Sequence, residues 1–159
     1  AELTDADIAM LLLLCFPIGI INGLAGWTFT RCAWNFKLSL PRTGMPEWLF
    51  LPVVGFFSAC IGVLVYEVTH VNGVWGTTMD VVPLTIEEAV TWDKVLLLFL
   101  GKFCCFTLQS AAGGPGGTLV PSLTAGGLVG ILVGRIASCS EHNVAACAIL
   151  GMGSLFAGV

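Results

Sequence analysis

Apolar runs of near-membrane length alternate with short polar connections along this chain. Ile8 to Trp27 is an uncharged apolar run, and the pattern predicts a first helix over 5–37. Asp5 and Asp7 suit its first turn, and Thr4 or Asp5 can cap it. Gly19, Gly23 and Gly26 place small residues on one side, as close helix contact requires. A second apolar run predicts a helix over 47–66, with Gly55, Ala59 and Gly62 as another small face. Residues 67–93 are polar and irregular, an acidic loop with room for one short helix. Further helices are predicted over 94–111, 118–138 and 142–159, the last ending inside an apolar run.

Between the runs Val95 to Ala112 and Leu123 to Ala137 lies Gly113-Gly114-Pro115-Gly116-Gly117-Thr118-Leu119-Val120-Pro121. Four glycines and a proline stop the incoming helix. Pro121 fits the first turn of the next one, where an intrahelical N–H is not needed. The amides of Thr118, Leu119 and Val120 then open a helix without intrahelical partners and with partial positive charge. Gly116 and Gly117 leave space for close approach. Such a helix start suits an anion, and membrane transporters aim broken helices at anionic cargo. Downstream, Gly126, Gly130 and Gly134 recur every four residues, the spacing of a tight helix seam.

Composition moves this pattern into a membrane. The 159 residues are 57% hydrophobic and 10% charged, with a mean hydropathy of +0.96. A soluble domain has about 25% charged residues. The chain reads as an integral, multi-pass membrane protein in contact with a lipid bilayer. It begins without Met and ends in an apolar run, so we expect an excerpt of a larger membrane protein. The net charge of −4 is unevenly spread. Residues 31–42 hold Arg31, Lys37 and Arg42 and no acid; residues 67–93 hold five acids and no Lys or Arg. The cation bias places 31–42 in the cytoplasm and 67–93 on the opposite side.

Lys102 stands near the middle of an apolar segment. It either snorkels to the interface or faces a cavity or partner, where it would raise the local anion concentration. Enzymatic chemistry lacks its parts. The serines have no Gly-x-Ser-x-Gly setting, both histidines fall in loops, and no carboxylate pair lies within an apolar segment. The seven cysteines form no Cys-x-x-Cys pair and lie mostly in apolar runs, so they read as packing residues rather than metal ligands. We therefore expect no catalytic residue, no metal and no cofactor. No basic aromatic surface for nucleic acid is present either.

The glycine motif resembles the Gly-x-Phe-x-Pro signature of the CLC family of chloride channels and chloride/proton exchangers. Gly151-Met152-Gly153-Ser154-Leu155-Phe156-Ala157-Gly158 resembles the Gly-Met-x-Ala-Leu-Phe-Ala-Gly stretch of that family's following helix. Gly19-Ile20-Ile21-Asn22-Gly23-Leu24-Ala25-Gly26 is similar to an upstream glycine-rich helix, and a basic residue at Lys102 is in keeping with the family. The resemblance implies an all-α membrane fold of tilted and broken helices, about five to six of them here. It implies chloride as transported ligand, bound by the Thr118 and Leu119 amides, and a homodimer formed through regions outside these residues. Leu119 stands where the signature has Phe, and Thr118 replaces a commonly aliphatic residue. The family's Gly-Ser-Gly-x-Pro serine, gating glutamate motif and pore tyrosine do not occur here. The alternative to a conducting protein is a non-conducting accessory membrane subunit that keeps part of this fold.

Overall fold

A computed structural model describes residues 5–44, 46–75, 81–87, 90–114 and 119–158. The described residues form six α-helices and no strand: α1 (Asp5–Ser39), α2 (Glu47–Thr69), α3 (Val81–Glu87), α4 (Trp92–Ala111), α5 (Leu119–Ile136) and α6 (Glu141–Phe156). A short 3-10 turn, Leu40–Thr43, follows α1. Helices α1, α2, α4 and α5 are each long and apolar enough to cross a membrane. At 20 and 18 residues, α4 and α5 are about 30 and 27 Å long.

Helix α5 is the buried centre. Eleven of its residues are buried, including Leu128, Val129 and Ile131. It can be so because its glycines admit another backbone. A Cβ on Gly126 would strike the Gly151 carbonyl of α6, and one on Gly130 the Cys147 carbonyl. The four-residue glycine repeat is thus a seam along which α5 and α6 meet main chain to main chain. The turn joining them is closed by Ser138 at φ 54°, with the Cys139 amide donating to the Gly134 carbonyl at 3.0 Å.

Helix α1 lies across this pair and continues through Pro17. Its inward side is carried by Ile18, Asn22, Gly26 and Phe29. Asn22 is fully buried and donates to the Gly151 carbonyl at 3.1 Å and to Ser154 Oγ at 2.6 Å. Phe29 stacks on Phe106 of α4, with ring centroids 4.4 Å apart and planes 5° apart. The expected small-residue face of α1 is corrected here. Gly26 meets Gly158, but Gly19 and Gly23 have nothing within 4 Å of a Cβ among the described residues. On α2, Gly62 lies against Trp75, while Gly55 meets no neighbour among the described residues. Leu13, Phe16 and Trp48 are about three-quarters exposed, an apolar exterior suited to lipid. The chain is an integral, multi-pass membrane protein.

Helix α2 ends where His70 takes φ 58° and its amide donates to Tyr66 O at 2.7 Å. This left-handed cap turns the chain inward. Val71 and Val74 are buried, and Gly73 lies against Leu98. Residues 70–75 are irregular backbone, and Val71, Gly73 and Val74 carry it against the bundle while His70, Asn72 and Trp75 stay exposed.

Candidate functional site

The glycine-rich residues 112–118 connect the C-terminus of α4 to the N-terminus of α5. Ala112, Gly113 and Gly114 close α4: their amides donate to Leu108, Ser110 and Gln109 carbonyls at 3.0–3.3 Å. Gly113 sits at φ 74°, which a residue with a side chain adopts only under strain. Gly116, Gly117 and Thr118, with Pro115, lie outside the described residues. Leu119 and Val120 are the first two residues of α5. The first amides of an α-helix have no intrahelical acceptor and carry partial positive charge. Ser122 and Thr124 are buried just inside and return their hydroxyls to Leu119 and Val120 carbonyls, at 2.8 and 3.0 Å.

A cavity of about 130 Å³ adjoins this helix start. Pro121 forms part of its wall, with Ser58 from α2, Val74 and Trp75 from the inward loop, and Lys102, Cys105, Phe106 and Gln109 from α4. Lys102 is 4% exposed and donates from Nζ to the Val74 carbonyl at 3.2 Å. This decides between the two readings of Lys102: it does not snorkel to the interface but stays inside the bundle. Its acceptor belongs to an irregular backbone segment, since residues 71–74 are not helical.

Three cavity residues were not singled out from the sequence. Ser58 is buried, and its Oγ has no hydrogen-bond partner among the described residues. Cys105, read as packing, is buried and its thiol donates to the Ser58 carbonyl at 3.7 Å. Gln109 adds a side-chain amide. No signal in a single apolar sequence marks Ser58 or Cys105, because the helical face they occupy is set by how α2 and α4 meet. The cavity is small, and its lining mixes polar and apolar groups. Its lining includes the Lys102 amine, the Ser58 hydroxyl and the Gln109 amide. Among the described residues no group of His, Cys, Asp and Glu could hold a metal ion.

The sequence matches the family described as Voltage gated chloride channel over residues 4–159. It is 28% identical over 163 residues to the H(+)/Cl(-) exchange transporter ClcA of Yersinia pestis, covering 98% of this chain and 33% of that protein. It is 31% identical over 156 residues to the ClcA of Vibrio cholerae serotype O1, covering 96% and 32%. The chain spans about a third of the length of the curated relatives it matches. With all-helical architecture, a glycine-broken α4–α5 connection and a match over nearly every residue, this chain belongs to the voltage gated chloride channel family.

Proposed function

We propose that this chain forms part of a chloride pathway across a membrane. The anion is held by the main-chain amides of Thr118, Leu119 and Val120, and Gly116 and Gly117 leave room for its approach. The relatives are named as H(+)/Cl(-) exchange transporters, and chloride is the cargo this reading carries over. The observation that supports it most is the shared wall of Pro121 and Lys102: a buried basic side chain lines a cavity against the first turn of a broken helix. Amide dipoles select by charge and dehydrate the ion, and a basic group beside them raises its local concentration. Leu119, 47% exposed, supplies apolar bulk at the mouth where the family signature has an aromatic ring. The functional protein is a homodimer, with one pathway per subunit and with dimer contacts contributed by regions beyond these residues.

Chloride efflux from liposomes tests the reading. Gly117→Trp places a large ring where the anion must approach main chain. Flux should be abolished while the protein still extracts as a monodisperse species. Unchanged flux would remove the amide site from the pathway.

A further inference from the structure

A second cavity lies at the opposite ends of α4 and α5 from the glycine turn. It measures about 290 Å³ and is lined by Ile86, Thr91, Trp92, Arg135, Cys139, Glu141 and Val144. Arg135 closes α5, and its Nη2 donates to the Thr85 carbonyl at 3.1 Å. Its Nε is buried and has no partner among the described residues. A buried guanidinium N–H without an acceptor is costly. Its planar fork is matched to phosphate oxygens. Glu141 is exposed at the first turn of α6, and Ser140 makes no side-chain cap bond there, so the α6 amides add positive potential beside the carboxylate. Among the described residues that line the cavity, Arg135 is the one cation and Glu141 the one carboxylate.

Its depth narrows the occupant. The beginning of α4 and the end of α5, two helices long and apolar enough to cross a membrane, meet the beginning of α6 here, so the cavity lies at the level where those two spans end. Trp92 is 56% exposed at its rim, as interfacial tryptophans are, and Ile86 and Val144 give it apolar wall. We propose that this cavity holds the headgroup of a zwitterionic phospholipid of the phosphoethanolamine type. Its phosphodiester lies on Arg135 and its ammonium on Glu141, while the acyl chains leave past Trp92. The inference is independent of the anion pathway.

Cys139 in the wall reports occupancy without a mutation. In delipidated detergent solution, dioleoyl phosphatidylethanolamine should slow Cys139 alkylation by maleimide, read by peptide mass spectrometry. At ten times its Kd the slowing is about tenfold. The rate at exposed Cys60 on α2 should not change. Glu141→Gln, a surface change, should weaken protection by phosphatidylethanolamine but not by phosphatidylglycerol; Arg135→Gln should remove both. Equal protection by neutral diacylglycerol, protection by inorganic phosphate but not lipid, or full protection in folded Arg135→Gln each overturns the proposal.

Discussion

Lys102 Nζ lies 3.2 Å from the Val74 carbonyl oxygen, joining the middle of α4 to a non-helical segment that enters the bundle after α2. The pair explains how a basic residue persists in an apolar helix. The inward loop supplies a main-chain acceptor at membrane depth, and the adjoining cavity supplies polar neighbours. It also places the basic group against the helix that follows the glycine turn.

If Lys102 concentrates anions, its removal should matter most when little salt screens it. Lys102→Gln should lower chloride conductance by about tenfold or more at 10 mM salt. At 1 M, where the Debye length is about 3 Å, the loss should shrink markedly. Conductance measured in planar bilayers at both salt concentrations checks this. Equal losses would assign Lys102 a packing role.

The seam between α5 and α6 has no room for a methyl group at its tightest point. A Cβ on Gly130 would meet the Cys147 carbonyl and the Ala148 Cα. Gly130→Ala should destabilise the protein by about 1–3 kcal/mol through backbone displacement. Gly19→Ala, where nothing lies within 4 Å, should be neutral or slightly stabilising because alanine is the better helix former. Thermal unfolding of the two variants in detergent, side by side, tests the contrast.

Asn22 ties α1 to α6 through Gly151 and Ser154. Hydrogen bonds between membrane helices average about 0.6 kcal/mol and reach about 1.7. Asn22→Ala should therefore cost about 1–3 kcal/mol, the sum of two such bonds. The loss should be coupled to Ser154, so the double variant Asn22→Ala/Ser154→Ala should be less destabilised than the sum of the singles. Additive losses would show that the two side chains act separately.

The parts of this fold that repeat along the chain were legible from sequence. The apolar runs gave an all-α membrane protein, and Gly126, Gly130 and Gly134 marked a seam because their spacing matches the helix repeat. At Gly19 and Gly23 the same spacing meets no neighbour among the described residues. A glycine permits close contact but does not create it. The position of Lys102 inside the bundle depends on which face of α4 meets α2, a tertiary property that hydropathy does not encode. His70, given no role from sequence, caps α2 in a left-handed conformation and turns the loop that carries Val74 inward. Ser58 was invisible for the same reason as Lys102's partner: its neighbours come from residues more than forty positions away, as the 3.7 Å contact from Cys105 to its carbonyl records.

Halide binding at the head of α5 can be seen directly. Crystals of the protein grown in bromide and measured at the bromine absorption edge should give an anomalous peak within hydrogen-bonding reach of the Thr118 and Leu119 nitrogens, and the peak should vanish in Gly117→Trp. Bromide found only elsewhere, with those nitrogens donating to protein oxygens instead, would contradict a main-chain anion site.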